Sequence, residues 1–195
     1  MSIETFSLAP PVTQVFLIHG YHSSPNKGLF GWLKLQGIMK GIKFDALELP
    51  DPDHPVAADW VQKIALDIGV VTKQIGIVGH SLGCIAALKY LQSLPNDDWT
   101  LGRLVLIAGF NENPDPSDEI LAEFIGEGVD LTHISAHVQG ITVIRSDDDP
   151  IVDAALTDAL ARGLGVPPII VPGAKHFADS DGVTQVPEVM DGLVK

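Results

Sequence analysis

Three residue types that together can move an acyl group stand at separate points of this 195-residue chain: Ser81, an aspartate within Asp147-Asp148-Asp149, and His176. Ser81 carries the strongest local signal. It sits in Gly79-His80-Ser81-Leu82-Gly83, after the apolar residues 75–78 and before Cys84-Ile85-Ala86-Ala87-Leu88. Buried strand, sharp turn and helix form the context in which G-x-S-x-G presents a nucleophile. A serine hydroxyl is a poor nucleophile at neutral pH and must be offered to a base. The turn is tight, so a side chain at 79 or 83 would collide with the neighbouring strand or helix. The turn also aims the amide of Leu82, at a helix N-terminus, toward the place where an oxyanion would form.

The base and its orienting acid come later. His176 follows Pro172-Gly173-Ala174-Lys175, and Gly173 suits a loop that carries an imidazole over a sheet edge. Its rivals are weaker. His80 lies beside the nucleophile, on the wrong side of the turn, and His19 suits loop shaping better than proton transfer. The other histidines precede Ser81 or lie within residues 111–139. Of the three aspartates we choose Asp149, because Pro150-Ile151-Val152 after it suggests a fixed turn; Asp148 is the alternative. A second oxyanion donor is expected from the amide of Tyr21, in His19-Gly20-Tyr21-His22.

The elements that must position these groups follow from pattern. After a lead-in at 1–13, residues 15–18 form an apolar strand. Phe30–Lys40 reads as a helix with Trp32, Leu33, Leu35 and Ile38 or Met39 inward. Residues 44–49 read as a strand running into the rigid Pro50-Asp51-Pro52-Asp53-His54-Pro55. Residues 56–70 form a helix with Ala57, Trp60, Val61 and Ile64 at helical spacing. The third strand and its helix reach about Leu94 and stop at Pro95-Asn96-Asp97-Asp98. Strands at 103–108, 141–144 and Pro168–Val171 alternate with helices at 153–164 and 183–194, the last with Pro187 near its first turn. The segment 111–139 is polar, with a helix at 117–125, and is the only room for a lid.

Strand and helix alternate from end to end without a linker or repeat. This predicts one α/β domain over residues 1–195, a doubly wound six-stranded parallel sheet with helices on both faces and no large cap domain. Right-handed crossovers then bring the loops that carry Ser81, Asp149 and His176 to one carboxyl edge. The chain order Ser, Asp, His is that of α/β-hydrolases.

Composition narrows the partners. The chain is 46% hydrophobic with a formal net charge of -13, a mean hydropathy of +0.24 and a pI near 4.7. A nucleic-acid surface would be basic, so no nucleic-acid partner is expected. No apolar run approaches a membrane span, and Glu4 sits where a signal peptide would be basic; no membrane association and a cytoplasmic location are expected. The one cysteine, Cys84, reads as a small core residue. Asp51, Asp53 and His54 are separated by prolines, and His133 and His137 lack an H-E-x-x-H pattern. We therefore expect no metal and no cofactor. Phe110, Phe124 and Ile125 are candidates for an acyl pocket, with ordinary packing as the alternative. The short lid predicts a shallow, open pocket and small substrates.

Taken together, these motifs resemble a family: the small serine hydrolases that include retinoblastoma-binding protein 9 and the bacterial YdeN proteins. The resembling pieces are Phe16-Leu17-Ile18-His19-Gly20-Tyr21 with Ser24-Pro25, and Phe30-Gly31-Trp32-Leu33. Leu49-Pro50-Asp51-Pro52 with Asp59-Trp60, and Gly79-His80-Ser81-Leu82-Gly83, come next. Asp148-Asp149-Pro150 and Gly173-Ala174-Lys175-His176-Phe177 complete the set. The resemblance implies a minimal α/β-hydrolase without the usual first two strands, a triad of Ser81, Asp149 and His176, and carboxylesterase-like activity on small esters. Acyl transfer or perhydrolysis would use the same acyl-enzyme. The competing reading is a binding or interaction module that keeps the scaffold without turnover.

Overall fold

The apolar runs are continuous because each strand is covered twice. In β1, Gln14–Ile18, Val15 and Leu17 enter one core while Phe16 and Ile18 enter the other. Side chains alternate along a strand, so a strand buried on both faces has no polar positions to spare. The computed structural model describes residues 12–95 and 98–194; most of the lead-in, and Asn96-Asp97 of the expected helix stop, fall outside the described residues.

After β1 come α1, Phe30–Lys40; β2, Lys43–Ala46; α2, Ala57–Ile68; β3, Ile75–His80; and α3, Leu82–Gln92. Then follow β4, Leu101–Ile107; α4, Glu119–Ile125; α5, Leu131–Ala136; and β5, Val138–Ser146. The chain continues with α6, Ala154–Gly163; β6, Pro168–Val171; a 3-10 turn at Asp179–Asp181; and α7, Pro187–Val194. All strand pairs are parallel, in the order β2-β1-β3-β4-β5-β6. Helices α1 and α7 cover one face through Phe30, Leu33, Val189 and Leu193. Helices α2, α3, α5 and α6 cover the other through Trp60, Ile64, Ile85, Leu88, Ile134 and Leu160. This is the expected minimal α/β-hydrolase-like architecture, and no separate cap domain forms among the described residues.

Register aligns the carboxyl ends. Ile18 of β1 pairs with Gly79, and His80 with Ile107 of β4. Ile107 pairs with Ile144 of β5, and Ser146 with Val171 of β6. The loops that follow therefore emerge side by side. Helix α3 lies beneath them with almost its whole surface buried, which is why it is apolar all round.

Several elements differ from the sequence reading. Leu35, Ile38 and Met39 of α1 do not face inward; they are 61%, 77% and 79% exposed. The buried stripe is Phe30, Leu33 and Gly37. Phe44 packs so closely on Gly37 that a Cβ there would overlap its ring. That contact sets the rotation of the helix and turns the other apolar residues outward. Strand β2 ends at Ala46, where its ladder with Leu17 ends. Strand β5 starts earlier than expected because Val138 pairs with Leu101. Helix α5 forms inside the segment 111–139, where the only helix assigned from sequence is 117–125. It follows a polar segment, and Asp130 caps it by accepting the amides of Thr132 and His133.

Candidate active site

Ser81 stands between β3 and α3 with φ 54° and ψ -124°. A non-glycine residue holds such a backbone only where its surroundings over-determine it. They do so here. A Cβ on Gly79 would lie 2.8 Å from Cys84 Cα, and one on Gly83 would overlap the carbonyl of Ile18. The Ser81 amide donates to Ile107 O at 2.9 Å, which ties the turn to the neighbouring strand. Beneath it, buried Cys84 donates to Ile107 O, and burial pushes its thiol pKa up.

His176 Nε2 lies 2.9 Å from Ser81 Oγ, and His176 Nδ1 lies 2.9 Å from Asp149 Oδ2. A carboxylate only accepts, so Nδ1 carries the ring proton and Nε2 is free to accept from the serine hydroxyl. Ser81 and His176 are 8% and 7% exposed, so the chain of hydrogen bonds is largely shielded from water. Asp149 Oδ1 accepts the amides of Ile151 and Val152 at 2.8 and 3.0 Å. Burial raises the Asp149 pKa, but His176 and those amides outweigh it and hold the carboxyl below its ordinary value.

The three aspartates have separate partners. Asp147 accepts the amide of Gly173. Asp148 accepts the hydroxyl of Ser146 and the amide of Lys175. Asp149 reaches the imidazole. The structure thus brings Asp149, rather than Asp148, to His176.

Tyr21 and Leu82 both line the cavity over Ser81. The loop after β1 lies hard against the serine turn: a Cβ on Gly20 would sit 3.0 Å from Ser81 Cβ and 3.4 Å from the Leu82 amide nitrogen. Buried His19 hydrogen-bonds Gly20 O and meets Trp60 edge-on, so it shapes this loop. Farther out, His22 stacks on Tyr21 and bonds Asp53 at 2.7 Å. His54 faces Asp51, and His137 stacks on Trp99.

The cavity has a volume of about 760 Å³. Its walls include Leu29, Phe30, Phe110, Leu121, Ile151, Val152 and Phe177. Phe124 and Ile125 do not line it. They are buried in the core, with Phe124 edge-on to Trp60 at 5.2 Å. Helix α4 offers the pocket Leu121 and turns Phe124 toward Trp60 of α2.

Two contacts to the backbone of His176 are not foreseen from sequence, although His80 is weighed there as a rival to it. His80 Nε2 donates to the carbonyl of His176 at 2.7 Å. Asp181 Oδ2 accepts the amides of His176 and Ala178 at 3.1 and 2.9 Å. The sequence signal for His80 was its place, a polar residue closing an apolar strand. Asp181 had no local signal beyond a turn composition.

Known proteins share the sequence family and the fold. A family model described as serine hydrolase matches residues 15–195. The YdeN protein of Bacillus subtilis (strain 168) is 33% identical over 180 residues, 92% of this chain and 94% of its own. The crystal structure of that gene product superposes with a TM-score of 0.86, covering 92% of this chain and 96% of that one. A YdeN-like protein from Pectobacterium atrosepticum is 17% identical with a TM-score of 0.68, covering 93% and 88% of the two chains. A structure from a study of Nitrososphaera gargenis carboxylesterases is 11% identical with a TM-score of 0.66, covering 95% and 90%. The last two share the fold. On the family model and on its identity with YdeN, the chain belongs to the serine hydrolase family within the α/β-hydrolase superfamily.

Proposed function

We propose that this protein hydrolyses small carboxylic esters through an acyl-enzyme formed on Ser81. The observation that carries the reading is the unbroken hydrogen-bond chain Ser81–His176–Asp149, with its serine end lining the cavity. Ser81 Oγ would attack the ester carbonyl carbon while its proton passes to His176 Nε2. The carbonyl π electrons move onto oxygen, and the amides of Leu82 and Tyr21 would stabilise that oxyanion. Each such donor typically lowers a barrier by about 3–4 kcal/mol. Collapse expels the alkoxide, which takes the proton from Nε2 and leaves as the alcohol. Water then repeats the sequence on the acyl-enzyme and releases the acid. Asp149 holds the Nδ1–H tautomer and offsets the charge of the transient imidazolium.

The cavity volume, about 760 Å³, falls inside the range of roughly 300–1,000 Å³ common for small-molecule sites. Its apolar walls suit an uncharged acyl chain or alcohol. The fold also serves carboxylesterases, which makes esters the first substrate class to test. The experiment is fluorophosphonate labelling read by intact mass, on wild type and Ser81→Ala. One adduct, absent from the variant and accompanied by turnover of p-nitrophenyl acetate, is the expected result. No adduct on folded wild type would overturn the reading and favour a binding module on a hydrolase scaffold.

A further inference from the structure

The base of this site is held in a costly backbone. Lys175 and Phe177, the neighbours of His176, have φ values of 47° and 58°. Left-handed backbone is unfavourable for side chains of this kind and persists only under external restraint. A loop left to itself would relax and swing the imidazole away from Ser81.

Two side chains grip the backbone groups of His176 itself. Its amide donates to Asp181 Oδ2, and the same oxygen takes the amide of Ala178. Its carbonyl accepts from His80 Nε2 at 2.7 Å. Both peptide planes at the base are therefore fixed. We propose that His80 and Asp181 are positioning residues of the reaction, which hold His176 at hydrogen-bond distance from both Ser81 and Asp149. The assignment rests on the serine-hydrolase reading.

The chemistry of His80 suits the task. It is the last residue of β3 and precedes the nucleophile directly. Its hydrogen bond therefore ties the serine turn to the loop of the base without involving the reacting atoms. The partner is a carbonyl, which only accepts, so His80 must keep its Nε2 proton. Burial, then the neighbouring His176, lowers its pKa to about 4. At neutral pH it adds no positive charge beside an imidazole that must itself become cationic. The ionisable groups that bear on it are His176, Asp149 and Asp181. His80 thus acts as a neutral donor, a role that a glutamine amide can also fill.

The test compares His80→Leu with His80→Gln, and Asp181→Ala with Asp181→Asn. Steady-state kinetics on p-nitrophenyl acetate are read beside the low-field proton resonance of His176 Nδ1–H and a thermal unfolding curve. Small displacements of a catalytic group cost up to about a hundredfold in rate. We expect His80→Leu to lower kcat by about 10- to 100-fold with KM within about twofold, and to shift or abolish the resonance. His80→Gln should recover kcat to within about threefold of wild type. Asp181→Ala should lose about tenfold in kcat, and Asp181→Asn, which keeps an acceptor oxygen, should recover it.

Unchanged kcat in folded His80→Leu and Asp181→Ala would overturn the proposal. So would a loss shared equally by the conservative variants, or one confined to KM. Should His80→Leu fail to fold, His80→Gln decides: a loss above about tenfold refutes the assignment, and near-wild-type kcat supports it. Failure of the hydrolase reading is seen separately, as wild type without label or turnover. In that event the resonance still reports whether His80 sets the geometry of His176 and Asp149.

Discussion

His176 Nε2 lies 2.9 Å from Ser81 Oγ, although 95 residues separate the two in sequence. Between the strands that present them lie β4 and β5, so the contact closes only when the parallel ladder is complete. The site therefore depends on sheet assembly.

The aspartates differ in what they touch. Asp149→Ala removes the acceptor of His176 Nδ1 and should cost about a thousandfold or more in kcat. Asp148→Ala instead releases Ser146 and the Lys175 amide and should cost less than about tenfold. Kinetics on p-nitrophenyl acetate check both, and equal losses would sink the assignment of Asp149.

Glycine at 83 is demanded by a backbone neighbour, the carbonyl of Ile18. Overpacking of this kind costs about 1–3 kcal/mol where side chains can give way, and backbone gives way less easily. Gly83→Ala should lose about 3 kcal/mol or more in urea unfolding. A loss under about 1 kcal/mol would mean that the turn has slack.

Helix α1 offers a test of orientation. Leu33 is fully buried, and Leu33→Ala should cost about 2–5 kcal/mol. Ile38→Lys and Met39→Lys should each stay within about 0.5 kcal/mol of wild type, as exposed sites do. Strong destabilisation by either lysine would mean that the apolar outer face of this helix is covered in solution.

Stability should fall on mild acidification. Folded His80 stays neutral down to about pH 4, whereas the unfolded chain protonates it near 6.5. Between these values the unfolded state binds more protons, so stability drops as pH falls. The full difference is on the order of 3 kcal/mol, and His19, also lowered by burial, adds in the same direction. Urea unfolding from pH 7 to pH 4.5 should show the decline, and His80→Gln should flatten it. Equal slopes in the two proteins would count against a neutral His80.

Much of this molecule was legible in one dimension. Phe30–Lys40 and Pro168–Val171 match the sequence reading residue for residue, because glycine and proline punctuation acts locally. Ser81 and His176, which the structure brings within hydrogen-bond distance, could be named as candidates because acyl-transfer chemistry restricts residue type and chain order. Strand β5 and helix α5 were less legible. The first is extended by a partner strand and the second begins from a polar cap, so neither shows in apolar periodicity.

By itself, the sequence determined which groups could react, in what order, and that alternating strands and helices would carry them to one sheet edge. These are properties of residue type and local pattern. Only the tertiary structure decided that Asp149 rather than Asp148 meets His176. Three adjacent carboxylates are chemically equivalent until a fold gives each its own partner. It also decided which face of α1 is buried, through the contact of Phe44 with Gly37. The hydrogen bonds of His80 and Asp181 to the backbone of His176 belong to the same class. The bond from His80 spans 96 residues, and no local pattern can encode a partner that distant.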